Sequence, residues 1–440
     1  MTKEEGPSNV VGLDEARQRK EDRPKGPRTL EDRIAEFQLD VGKNGKPTGS
    51  YPNLMKLLTF DEEWNEAFRL DRRSLQIMVG KSPIHEGDTR RILKDADLVH
   101  IATWLGTEYA INASKDRVAQ VVSAIADQLS FDPVLDVLER LTWDGEDRLD
   151  TWLVNYIGAE DSAYVRAVGR KWLISAVART YEPGCQADST LVLEGPQGIG
   201  KSSALRALVI EEDWLAEHLP DLKSKDALLG LGGPLIVEFS ELAALYRSNA
   251  VTIKSFLTRR VDRFRVPYGT LPVIKPRQCT FAATTNEAEY LRDETGNRRF
   301  WPVECGRIDL ERLVAEREQL WAEAVQAYRA GEQWYITDHM IEAEAIRRQR
   351  ERQQDDPWLE IVQEYVEQEE SRVGRKKIRI RIDHLFHEIG LDRGRWNQAA
   401  RRRLADCLRQ LGLERQTVRD GAKTTRAFVF RSQTQNELDL

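Results

Sequence analysis

The sequence predicts an α/β fold in which a parallel sheet is covered by helices, and three observations carry that prediction. A short apolar run, Thr190 to Glu194, leads into a glycine-rich turn and then a helix-forming stretch from Lys201 to Val209. Two further apolar runs, Pro234 to Glu238 and Cys279 to Thr284, follow it, and polar residues close both. The order strand, loop, helix, strand implies parallel pairing, because parallel neighbours need a crossover connection.

The remaining elements follow in chain order. Residues 1–28 are polar and charged, with too little apolar surface to offset ordering entropy, and read as a disordered tail. Residues 29–130 read as a small N-terminal α+β region. Its helices fall at Leu30 to Phe37, Tyr51 to Leu58, Asp95 to Leu105 and Asp116 to Leu129, with short strands near Phe68 and Leu75 to Val79. Helices at Asp132, Arg148 to Tyr156 and Tyr164 to Tyr181 form a flank leading into the core, which is placed at 131–345. A charged helical linker is expected at 346–370. Residues 371–432 read as short strand, helix, helix and a hairpin around Asp420-Gly421, the order of a winged helix, and 433–440 as a tail.

Charge is uneven. The chain carries a net charge of −7, yet Ser371 to Ser432 holds 17 Lys/Arg against 6 Asp/Glu. A basic module on an acidic body suits a nucleic-acid contact better than a uniform coat. The four cysteines (Cys185, Cys279, Cys305, Cys407) are scattered, so neither a disulfide framework nor a zinc site is indicated. His384 and His387-Glu388 fit a helix surface better than a ligand set. No apolar run reaches the roughly 18–20 residues of a membrane span, and the N-terminus lacks an apolar signal core. A cytoplasmic, reduced protein is expected.

The run Gly195-Pro-Gln-Gly-Ile-Gly-Lys-Ser202 carries the clearest chemistry. Glycines let backbone N–H groups wrap phosphates, a lysine reaches the β/γ-phosphates, and a serine hydroxyl ligates Mg²⁺. The following helix adds its positive N-terminus. The expected ligands are therefore ATP and Mg²⁺, held by Gly195, Gln197, Gly198, Gly200, Lys201, Ser202 and Ser203. Glu238 ends the second strand, where an acid orients Mg²⁺ and its water, and Glu241 lies three residues beyond as a base for the attacking water. The two roles are interchangeable, and Glu241 also suits a helix N-terminus. Asn286, at the end of Thr284-Thr285-Asn286, is the expected γ-phosphate sensor. Arg298 and Arg299, on a Gly-Asn turn, are candidates for an arginine finger, or for anchoring acidic helices.

These residues, with Val237 to Leu242, Val261 to Gly269, Pro276 to Cys279 and Thr295 to Val303, together resemble the virulence-associated E (VirE-like) family. Trp143-Asp-Gly145, Gly169 to Trp172 and Tyr181 to Gly184 resemble its upstream part. The likeness covers about Phe131 to Ala345. Members occur in phages, prophages and plasmids and are similar to superfamily 3 helicases and the helicase halves of phage primases. The resemblance implies an AAA+-like P-loop core, a homo-oligomeric ring (commonly a hexamer), an arginine finger acting in trans, and single-stranded or forked DNA as track.

Between the second and third strands, guanidinium groups alternate with aromatics from Arg259 to Tyr268, a pattern suited to phosphate contact and base stacking. Arg263, Arg265 and Lys275 are the DNA candidates there; subunit contacts or nucleotide phosphate are the alternative uses of these arginines and of Lys254. In the C-terminal module, Arg395, Arg401, Arg402 and Lys423 are the candidates, with Arg393, Arg403 and Arg426 nearby. No primase constellation is found in residues 29–130, so primer synthesis would fall to a separate protein. The function expected is an ATP-dependent DNA helicase or replication-initiation ATPase. Two rivals stand beside it: an ATP-gated, non-motor DNA-binding switch, and a P-loop ATPase acting on protein.

Overall fold

The computed structural model describes residues 29–217, 222, 224–240, 242, 250–265, 271–291, 297–353, 357–420 and 423–430. Both expected tails, 1–28 and 433–440, lie outside them. The described residues divide into two compact units. The first holds those before 242, together with 251–286 and 299–342; the second holds mainly those from Ala343 onward.

The first unit begins with α1 (Leu30–Phe37), α2 (Tyr51–Phe60), β1 (Phe68–Asp71), β2 (Gln76–Val79), β3 (Arg91–Ile92), α3 (Asp95–Tyr109) and α4 (Lys115–Gln128). Hydroxyl caps start three of the helices: Thr29, Ser50 and Ser114 each accept from a backbone N–H one turn on. The three strands form an antiparallel sheet in the order β1-β2-β3. Trp64 lies at the centre of the core, stacked on Phe68 at 5.3 Å and edge-on to Trp104 at 5.4 Å.

The flank follows as α5 (Pro133–Arg140), α6 (Trp152–Asn155) and α7 (Ala163–Tyr181). Next come β4 (Thr190–Glu194), α8 (Lys201–Leu208), β5 (Leu215–Ala216), α9 (Lys225–Gly230), β6 (Ile236–Phe239), α10 (Ala250–Thr258), β7 (Val261–Phe264), β8 (Val273–Pro276), β9 (Thr280–Thr285), β10 (Phe300–Glu304) and α11 (Leu310–Arg329). Five strands form one sheet in the order β10-β4-β9-β6-β5, and every pairing is parallel. Strands β4, β6 and β9 are buried along their full length, which explains their apolar runs without alternation. β9 lies between β4 and β6, so the polar end of β9 sits beside both the glycine-rich loop and Glu238.

Helix α7 is almost wholly buried and braces the sheet: Trp172 donates its indole N–H to Phe281 O of β9 at 2.7 Å. Gly169 on the same helix is a close-approach position, where a Cβ would lie 2.8 Å from Leu153 and Trp152 side-chain atoms. Arg170 and Lys171 both hold Glu332, whose carboxyl they draw down to about 2. The Gly169 to Trp172 motif is thus a scaffold for the sheet.

The second unit contains α12 (His339–Glu351, most of it), α13 (Pro357–Val373), α14 (Ile382–Glu388), α15 (Gln398–Gln410), β11 (Leu413–Asp420) and β12 (Lys423–Phe430). Its core joins Val362 and Val366 of α13 to Phe386, Leu404, Leu408, Leu413 and Phe428. Helix α13 is therefore built into this unit, although its sequence reads as a charged linker. β11 and β12 form an eight-pair antiparallel ribbon.

Candidate functional site

The turn between β4 and α8 carries three glycines at positive φ: Gly195 (141°), Gly198 (84°) and Gly200 (99°). Residues with a side chain rarely adopt these angles, so the glycines set the path of the loop. Gly200 is the N-cap of α8 and supplies no side-chain acceptor, leaving that helix end open to an anion. The other end of α8 is fixed: Arg317 donates to Ala207 O and Val209 O at 3.3 and 2.7 Å, and Trp321 donates to Leu208 O at 2.9 Å. Both donors come from α11, which thereby holds the loop's helix in place.

Lys201 Nζ donates to Gly195 O and Pro196 O, at 2.6 and 2.8 Å. Burial lowers its ammonium below the ordinary lysine value. Ser202 Oγ donates to Glu238 Oε1 at 2.6 Å, and Thr284 Oγ1 donates to the same oxygen at 2.7 Å. Glu238 is only 1% exposed, and its Oε2 is buried without a hydrogen-bond partner among the described residues. A cavity of about 370 Å³ opens here, lined by Gln197, Gly198, Gly200, Lys201, Ser202, Ser203, Ser240 and the Thr284–Asn286 strand end. It lies at the carboxyl ends of β4, β6 and β9, the edge at which open α/β sheets bind their ligands.

Chemically, this arrangement combines backbone and lysine donors for a phosphate-type anion with hard oxygens for a divalent cation. Among the described residues, no group of three or more His, Cys, Asp or Glu could hold a metal. One carboxylate and one hydroxyl, with the rest supplied by water and substrate phosphate, nevertheless fit the way Mg²⁺ is bound. The orphaned Glu238 oxygen is the observation that favours this fit.

The other expected site residues fall elsewhere. Glu241 lies outside the described residues. Arg298 is exposed, and Arg299 pairs with Asp188 at 3.0 Å, just ahead of the amino ends of β10 and β4. That is the opposite sheet edge from the cavity, so Arg299 cannot reach the cavity of its own chain from there.

The β7–β8 ribbon separates the three DNA candidates. Arg263 and Arg265 are exposed, and Ile274, paired with Arg263, is also exposed. Lys275 points the other way and donates to Arg72 O at 2.8 Å and to Arg73 O, in the turn between β1 and β2. Residues 266–270 of that segment lie outside the described residues. In the second unit, Arg395 and Arg402 are exposed, whereas Arg401 pairs with Asp383 at 2.7 Å. Arg403 lies over Trp358 at 3.9 Å, and Trp396 stacks on Phe386 at 4.9 Å. Lys423 begins β12, opposite Asp420.

Thr284 and Ser240 also line the site, although neither belongs to the phosphate-binding motif. Two threonines closing an otherwise apolar strand, Thr280 to Thr285, are the signal for Thr284; nothing marks Ser240.

Fold and site together define a class: a parallel α/β protein whose glycine-rich loop and helix N-terminus stand beside a buried carboxylate. Residues 138–355 match the family model of the virulence-associated protein E-like domain. No curated protein matches the chain. Among solved structures, the chain is similar to the apo structure of the NrS-1 C-terminal region (305–718). The two are 14% identical, the match covers 86% of this chain and 98% of that one, and the TM-score is 0.48. The A-form apo structure of the same region gives 14% identity, 86% and 99% coverage, and a TM-score of 0.45.

Proposed function

We propose that this protein is an ATP- and Mg²⁺-dependent DNA helicase or replication-initiation ATPase of a phage, prophage or plasmid, built on an AAA+-like P-loop core with a C-terminal winged helix. The observation that carries the proposal is that Lys201, Ser202 and the Thr284–Asn286 strand end line one cavity, with Glu238 hydrogen-bonded to Ser202 and Thr284 beside it. The virulence-associated protein E-like domain supports the replication context.

Gly195, Gln197, Gly198, Gly200 and Ser203 wrap the phosphates, and Lys201 neutralises their charge. Ser202 and Glu238 hold Mg²⁺, which supplies charge neutralisation at the phosphates when bound. Glu238 orients Mg²⁺ and its water, Glu241 serves as the base for the attacking water, and Asn286 contacts the terminal phosphate. Arg298 or Arg299 serves a neighbouring subunit's site in a homo-oligomeric ring such as a hexamer. The position of Arg299 at the far sheet edge supports that role. Arg263 and Arg265 on the β7–β8 ribbon and Arg395, Arg402 and Lys423 in the C-terminal unit contact DNA, and a separate primase supplies primers.

The test is ATPase rate with and without single-stranded DNA, followed by strand displacement. Severalfold stimulation that Arg263→Ala/Arg265→Ala removes, with basal turnover kept, is expected. Stimulation without strand displacement would favour an ATP-gated switch, and absence of any DNA effect would favour a protein substrate.

A further inference from the structure

Resting on the nucleotide reading above, we propose that Thr284 is a positioning residue that fixes the Glu238 carboxylate so that Oε2 is the oxygen offered to the divalent cation. In the sheet register Glu238 pairs with Ala282. Side chains alternate along a strand, so Thr284 lies on the same face as Ala282, one step nearer the carboxyl edge. That register puts its hydroxyl 2.7 Å from Glu238 Oε1.

Oε1 also accepts from Ser202 at 2.6 Å. A carboxylate oxygen has two lone pairs, so Oε1 is saturated by two donors from two different elements, and the carboxylate plane is set. Oε2 is left buried and without a partner among the described residues. Glu238 and Thr284 are 1% and 6% exposed, so water does not substitute freely for either bond.

The two donors have different roles. Ser202 is the expected cation ligand, and its hydroxyl must turn from Glu238 to serve. Thr284 has no such second task and is the donor that stays. Partners that orient a metal ligand typically change cation affinity about 10–100-fold when removed.

The experiment uses the full chain with ADP as the nucleotide and Mn²⁺ as a paramagnetic probe for Mg²⁺. Free Mn²⁺ is counted by electron paramagnetic resonance, and metal-free ADP binding is measured by calorimetry. Thr284→Val is expected to weaken Mn²⁺ binding at least tenfold, a larger loss than any in metal-free ADP affinity. Thr284→Ser, which keeps the hydroxyl and loses the methyl, is expected to restore Mn²⁺ binding. Wild-type Mn²⁺ affinity in Thr284→Val overturns the inference alone. Equal loss in Thr284→Ser also overturns it, since the methyl would then be what matters. Failure of the wild-type chain to bind ADP at all overturns this inference and the nucleotide reading together.

Discussion

Glu238 and Lys275 are two ionisable side chains that the fold treats in different ways. Glu238 is buried beside hydroxyls with one oxygen to spare. Its replacement by glutamine keeps the shape and removes the charge, so Glu238→Gln is expected to retain nucleotide binding while ATP turnover falls by about 10²–10⁴. Single-turnover kinetics with separate binding titrations check this. Lys275 is pushed down to about 8, chiefly by burial and further by the neighbouring Arg73, while Asp71 and Asp132 oppose the shift. Between pH 8 and the ordinary lysine value, the unfolded chain holds more protons on this residue than the folded chain. Lys275 therefore contributes stability that rises with pH across that window. Urea midpoints of wild type and Lys275→Met at pH 8 and pH 10 provide the check. Wild type is expected to gain stability relative to the variant at the higher pH; a constant difference would show that the amine titrates normally.

At the scale of elements, the β1–β2 turn is the joint between the small antiparallel sheet and the parallel one. Arg73 is fully buried there, with Asp132 at 3.0 Å, Pro234 O at 3.2 Å and Thr180 Oγ1 at 2.7 Å. Asp132 also accepts from Gln278 at 2.6 Å and caps α5. Breaking a buried pair from one side leaves an uncompensated charge, so Arg73→Ala is expected to cost about 3–5 kcal/mol, read from denaturant unfolding. This joint was not legible in the sequence: Asp71-Arg72-Arg73 in a turn looks like solvated charge, and only the fold brings Pro234 and Asp132 to it. The β4–loop–α8 unit was legible because its signal is contiguous and glycine leaves little choice of backbone. Helix α13 was obscured for a different reason. Val362 and Val366 keep the helical spacing, but Glu360, Glu364, Glu367, Glu369 and Glu370 outweigh them in composition. Thr284 was partly legible as a polar strand end, yet its partner depends on the β6–β9 register, which no local pattern specifies.

At the scale of the molecule, the expected α/β architecture holds in its coarse form: a parallel five-stranded sheet with helices around it, preceded by a small α+β region. The charge asymmetry sits in the second unit, where Arg395 and Arg402 remain exposed while Arg401 and Arg403 are engaged within the unit. No helix among the described residues is long and apolar enough to cross a membrane. The proposed function requires the first unit's cavity to be a site of ATP binding and hydrolysis. The most direct test measures Mg²⁺-dependent ATP binding and phosphate release by the full chain and by Lys201→Ala. Saturable ATP binding and turnover are expected in the wild type, with Lys201→Ala losing about 10²–10³ or more in rate, the loss typical when a donor to a phosphate or oxyanion is removed. Turnover in Lys201→Ala equal to wild type, or no ATP binding by the wild-type chain, would contradict it.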